Sequence, residues 1–142
     1  MNVNLITNLF NKQKGSIPIW FLRQAGRHIP EYFEIREKEK DFINFCLNKD
    51  LIIESTKLPL KYYDLDAAII FSDILMIPYG LGQPVEFKKG YGPLLGKMNI
   101  NEIIKIDSNS FVKKIAPVYS AIKAVKEKNK NKETIGFVGA PW

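Results

Sequence analysis

The chain has one cysteine, Cys46, and one histidine, His28. A single thiol excludes an internal disulfide and suits a reducing cytosol, the compartment expected here. One cysteine and one histidine cannot assemble the Cys/His set of a zinc site. Cys46 reads as a small buried hydrophobe and His28 as a loop residue. Long apolar runs are also missing. The longest cover residues 67–71 and 74–78, with Ser72 and Asp73 between them. A membrane span needs ~20 apolar residues. Residues 1–10 carry no basic segment ahead of an apolar run, so no secretory signal is expected. The glycines at positions 80, 82, 90, 92 and 96 do not form a dinucleotide-binding fingerprint.

Arginine is the most telling scarcity. Of 21 basic residues only Arg23, Arg27 and Arg36 are arginine. In a chain that favours lysine so heavily, an arginine marks a place where a guanidinium is specifically needed. Two of the three frame the run Arg23-Gln24-Ala25-Gly26-Arg27.

What is present is ordinary for a globular domain: 142 residues, 46% apolar and 25% charged. The net charge of +6 suits an anionic partner. Many of the lysines fall in 123–132, a helix end and its loop. No basic stripe carries interleaved aromatics, so nucleic acid is not an expected partner, and neither is a membrane.

Periodicity and punctuation give the element order. Residues 2–11 read as a helix with Leu5, Leu9 and Phe10 on one face and Asn2 or Asn4 as cap. Residues 17–22 read as a first buried strand, with Pro18 at its start. Pro30 opens a helix to about residue 40. Asn48 caps a helix over residues 49–63, with Leu51, Ile52, Ser55, Leu58 and Tyr62 on one face and a kink at Pro59. Residues 66–71 form a second buried strand. Residues 77–80 and 82–84 read as loop, and 85–88 as a short hairpin strand before the turn at 89–93. Residues 111–128 make a helix interrupted by Pro117, and 134–138 a third buried strand. Three buried strands separated by helices predict a parallel α/β sheet, either doubly wound or part of a barrel.

In both architectures function gathers at the C-terminal ends of the strands. Those ends carry Arg23 and Arg27, then Asp73, then residues 139–142. Paired guanidiniums fit an anion between them, because the planar fork binds a carboxylate or phosphate through two parallel hydrogen bonds. Pairing with Glu31 or Glu34 is the alternative. Asp73 either caps the segment after it or presents a carboxylate to a cavity at the sheet's rim.

These residues carry a resemblance. The run Ile19-Trp20-Phe21-Leu22-Arg23-Gln24-Ala25-Gly26-Arg27-His28-Ile29-Pro30-Glu31-Tyr32 resembles the signature of the uroporphyrinogen decarboxylases. So does Leu65-Asp66-Ala67-Ala68-Ile69-Ile70-Phe71-Ser72-Asp73-Ile74-Leu75. Gly90-Tyr91-Gly92-Pro93 and the run Ile135-Gly136-Phe137-Val138-Gly139-Ala140-Pro141-Trp142 continue the likeness in order and spacing. His28 departs from it, standing where the family usually has tyrosine. The resemblance implies an α/β fold in which residues 1–142 are the N-terminal part of a (β/α)8 TIM barrel, with three of its eight strands. It implies a homodimer without metal or organic cofactor that converts uroporphyrinogen III to coproporphyrinogen III. The implied substrate-binding residues are Arg23, Gln24, Ala25, Gly26, Arg27 and Asp73, with Asp73 and Arg23 catalytic. Asp73 is the expected partner of the pyrrole N–H groups. A barrel takes ~250 residues, so the chain alone is expected to be unstable and inactive. The alternatives are a non-catalytic remnant, or a related cobalamin-linked methyltransferase barrel that uses zinc.

Overall fold

The structure, a computed structural model, describes residues 5–13, 16–21, 25–26, 28–88 and 90–139. Its elements run α1 (Leu5–Phe10), α2 (Glu31–Glu37), α3 (Phe42–Cys46), α4 (Lys49–Lys57), α5 (Pro59–Tyr62), β1 (Ala67–Ile69), α6 (Met76–Gly80), β2 (Val85–Lys88), β3 (Gly92–Leu95), α7 (Ile100–Ile103), α8 (Ser108–Lys114), α9 (Ala116–Lys128) and β4 (Glu133–Ile135).

Short polar side chains set the helix starts. Asn48 Oδ1 accepts from the Asp50 and Leu51 amides and opens α4. Asp41 does the same for α3 through the Asn44 amide, and Asp107 for α8 through Asn109 and Ser110. The Asn48 cap contributes about 1 kcal/mol. The kink expected at Pro59 is a full break between α4 and α5, since proline cannot donate to the preceding turn. Pro117 likewise separates α8 from α9. Residues 77–80 are not loop: they belong to α6, with Pro78 in its first turn. A proline there loses nothing, because first-turn amides have no partner inside the helix.

β1 and β4 pair in parallel, with Ala67 opposite Glu133, Ala68 opposite Thr134 and Ile69 opposite Ile135. The pairing of distant residues confirms a mixed α/β chain with a parallel sheet. β2 and β3 form a separate antiparallel hairpin, as expected for 85–88. Its return passes Gly90 and Gly92, both at φ near +85°, a region that side chains disfavour.

Other expectations need correction. Residues 17–21 form no strand, and Ile17, Ile19 and Phe21 are exposed. Residue 22 of the expected strand lies outside the described residues, and Ile19 bonds to Asp66, just ahead of β1. Its carbonyl accepts from the Asp66 amide (2.9 Å), and its own amide donates to the Asp66 carboxylate (2.7 Å). A side chain thus takes the place of the next ladder partner, and Pro18 has no N–H to offer. The last strand is shorter than 134–138: β4 ends at Ile135 and Val138 is 71% exposed. Leu9 and Phe10 of α1 are exposed too. Instead of an apolar face, Thr7 anchors α1, its amide and hydroxyl both donating to Glu133 Oε1 on β4 (3.3 and 2.5 Å). The proposed caps Asn2 and Asn4 lie outside the described residues.

Three apolar clusters hold these parts together. Ile52 of α4 and Val118, Ala121 and Val125 of α9 pack on Ala68 and Ile70. Ile29, Ile35, Phe45, Leu51 and Leu58 form a second cluster, and Ile43, Cys46 and Met76 a third. Phe71 packs against all three. Since Ala67, Ala68 and Ile69 are all buried, β1 is covered on both faces, as a parallel strand requires. Among the described residues no helix is long and apolar enough to cross a membrane.

Candidate functional site

The expected site draws on two loops. Of the first, Arg23, Gln24 and Arg27 lie outside the described residues. Ala25 and Gly26 are described, and both are half-buried. The Ile29 amide donates to the Gly26 carbonyl (3.1 Å), closing a turn that leads into α2. Ile29 itself is buried in the second cluster, which Tyr32 and Phe71 flank. His28 is exposed, its ring 6.1 Å from that of Tyr63.

The second loop leaves β1. The Ile70 amide donates to the Ile135 carbonyl (3.0 Å), the last bond from β1 to β4. The next amide, that of Phe71, donates to the buried Thr56 hydroxyl on α4 (2.9 Å). The Phe71 ring meets Phe45 edge-on at 5.1 Å and lies 5.9 Å from Tyr32. Two residues later stands Asp73, half-buried. Its Oδ1 accepts from the Leu75 amide (2.8 Å) and its carbonyl from the Met76 amide (3.1 Å). The capping alternative is therefore realised in part, as a side-chain turn just ahead of α6. Among the described residues no basic group forms an ion pair with Asp73. The Tyr32–Phe71 contact brings the described flank of the arginine loop beside the strand end that carries Asp73.

Arg36, the third arginine, has a local task. Its guanidinium donates to the Glu39 carbonyl and, at 2.9 Å, to that of Lys40, and it lies over the rings of Phe42 and Phe45. It closes the end of α2 and covers the aromatic cluster.

Cys46 is fully buried. Burial pushes its thiol up to about 12; the negative charge of Asp73 acts the same way, Arg36 opposes it and Asp41 adds to the rise. The thiolate is the nucleophile, so Cys46 is inert at neutral pH. The native protein is expected not to react with a thiol-specific reagent at pH 8 and to react fully once unfolded. An exposed thiol has a pKa of ~8.5. Above that pH the unfolded chain loses the proton while the folded one keeps it. Cys46 therefore contributes stability below pH ~8.5 that falls progressively as the pH rises towards 12. Labelling kinetics and unfolding curves at pH 8 and 10 check both statements.

An open hollow of about 470 Å³ lies elsewhere, between the hairpin and α6 and α8, with Tyr79, Gln83, Val85, Leu95 and Lys114 on its walls. Asp73 does not line it. The Lys114 ammonium sits 4.4 Å over the Tyr79 ring. Apart from the loop signals at 82–84, nothing in the sequence pointed to this groove. Its walls also carry Glu86, but none of its residues belongs to the ends of β1 or β4, where the Asp73 loop carries its carboxylate. Among the described residues no cluster of histidine, cysteine and carboxylates could hold a metal ion.

Residues 2–142 match the family described as Uroporphyrinogen decarboxylase (URO-D). A protein named uroporphyrinogen decarboxylase from Rickettsia felis is 45% identical over 138 residues, covering 96% of this chain and 40% of that protein. One of the same name from Brucella melitensis biotype 2 is 38% identical over 143 residues, covering 100% and 42%. The Brucella ovis protein is 42% identical over 126 residues, covering 88% and 37%. The chain thus spans about two fifths of the length of these relatives.

Proposed function

We propose, because the chain belongs to the uroporphyrinogen decarboxylase family, that it supplies part of the active site of an enzyme converting uroporphyrinogen III to coproporphyrinogen III. In this reading the chain is the N-terminal portion of a TIM barrel, whose remaining strands complete the sheet around β1 and β4. The full-length protein works in the cytoplasm as a homodimer, takes a tetrapyrrole as its substrate, and needs no metal or organic cofactor.

The chemistry asks for an electron sink. Each acetate arm of the substrate loses CO2, and the pair of electrons from the broken C–C bond must go somewhere. Protonating the pyrrole ring creates a cation that accepts them. A second proton then reaches the exocyclic carbon and the ring proton is released. The net change per arm is one proton consumed, one CO2 lost and one methyl group formed. Asp73 faces the pyrrole N–H groups and stabilises the cation, a term that is largest where water is excluded. Arg23 and Arg27 hold carboxylates of the substrate through bidentate bonds, with Gln24, Ala25 and Gly26 shaping the loop between them. Arg23 also serves the catalytic step.

The observation that supports this most is the packing of Ile29 and Tyr32 around Phe71. It sets the described end of the arginine loop next to the strand end bearing Asp73. The test is Arg27→Lys in the full-length protein. Lysine keeps the charge and loses the fork, so turnover is expected to fall by about tenfold or more, the worth of one charge-assisted hydrogen bond. Assay of coproporphyrinogen III formation reads this directly. Wild-type turnover would remove Arg27 from the site.

A further inference from the structure

We propose that Thr56 is a positioning residue for Asp73, and that its buried hydroxyl sets where the carboxylate stands. The inference rests on the reading of Asp73 as part of the substrate site.

The ladder between β1 and β4 ends at the Ile70 amide. Phe71 follows with an amide that no strand receives. Left without a partner, a buried amide costs about 1–3 kcal/mol, and the chain would be free to leave the sheet in any direction that water could reach. Thr56 removes that freedom. Its Oγ1 accepts from the Phe71 amide at 2.9 Å and donates to the Ile52 carbonyl at 2.7 Å. A threonine bond to the carbonyl one turn back is common in helices. Here it has a second effect: it commits the hydroxyl proton to α4 and leaves the oxygen's lone pairs for Phe71. Thr56 is fully buried, on a helix whose Ile52 belongs to the largest apolar cluster. The hydroxyl is thus mounted on a helix packed into the core.

The Phe71 side chain is held as well, packing against all three clusters. Amide and ring together fix the direction in which the backbone enters Ser72 and Asp73. Among the described residues the Asp73 carboxylate is held by its own turn, through the Leu75 amide. A shift at Phe71 therefore passes straight to the carboxylate. Displacing a reacting group by ~1 Å can cost up to about a hundredfold in rate. Nothing in the local sequence marks this role. Thr56 reads as a polar residue on the buried face of α4, and its partner lies 15 residues away.

The experiment compares Thr56→Val, Thr56→Ser and Asp73→Asn in the full-length protein, alone and with Val and Asn combined. Valine keeps the shape and removes the acceptor; serine keeps the oxygen. Thr56→Val is expected to lower kcat by about tenfold while KM stays within about twofold, and Thr56→Ser to restore most of the rate. In the Asp73→Asn background, Thr56→Val is expected to change the residual rate little, because the group it positions is already gone. A wild-type kcat in Thr56→Val beside a crippled Asp73→Asn overturns the inference and leaves the proposed function standing. Equal losses from Thr56→Val in both backgrounds also overturn it, since the hydroxyl would then serve the fold alone. A wild-type rate in Asp73→Asn overturns the proposed function and this inference with it. If the valine variant does not accumulate as folded protein, Thr56→Cys makes the same comparison, sulfur being only a weak acceptor.

Discussion

Asp73→Asn in the full-length protein is expected to lower kcat for uroporphyrinogen III by about 10²–10³-fold, the usual effect of removing one preorganised charge-stabilising group. The substitution is close to isosteric. The amide oxygen of asparagine still accepts from the Leu75 amide, as Asp73 Oδ1 does now at 2.8 Å, so the turn ahead of α6 survives. What disappears is the negative charge, and with it the attraction for a pyrrole cation. The fall should therefore appear in kcat with unfolding curves unchanged. A variant that turns over within about threefold of wild type would take Asp73 out of the site.

Phe45→Ala is expected to destabilise the full-length protein by about 3–5 kcal/mol. Phe45 is fully buried on α3. Its ring meets Phe71 edge-on at 5.1 Å, stacks near Phe42 at 6.4 Å and lies under the Arg36 guanidinium at 5.1 Å. Truncation removes all three contacts and leaves a cavity between α2, α3 and α4. Domains are stable by only about 5–15 kcal/mol, so the loss takes a large share of the total. Because Phe71 leans on the same ring, the damage should also reach the Asp73 loop. Denaturant unfolding measures the first effect. A loss below about 1 kcal/mol would mean that the surrounding aromatic side chains collapse into the space.

How far these features can be read from the sequence depends on the range of the forces behind them. The cap at Asn48, a disturbance of the helix at Pro59, the hairpin strand at 85–88 and the helix interruption at Pro117 were all legible. Each follows from hydrogen bonding or ring geometry within a few residues. Residues 77–80 misled for a local reason: proline is a strong loop signal, yet it is harmless in a first helical turn, and α6 begins two residues before Pro78. Residues 17–21 misled for a longer-range one. An apolar run makes a strand only where its amides meet backbone carbonyls, and the Ile19 amide is taken by the Asp66 carboxylate.

The same division holds for the candidate site. The sequence by itself determined the family, the chemical character of the arginine loop and the place of Asp73 just past an apolar strand, because spacing along the chain is enough to carry each of them. Only the tertiary structure decided that Phe71 joins three clusters, that Tyr32 brings the flank of one loop beside the other, and that a threonine 15 residues away receives the amide ahead of Asp73. Those contacts arise when α4 folds against β1 and α2 against α4. Packing of that kind joins residues by shape and by unmet hydrogen bonds, and neither leaves a period or a motif in the chain.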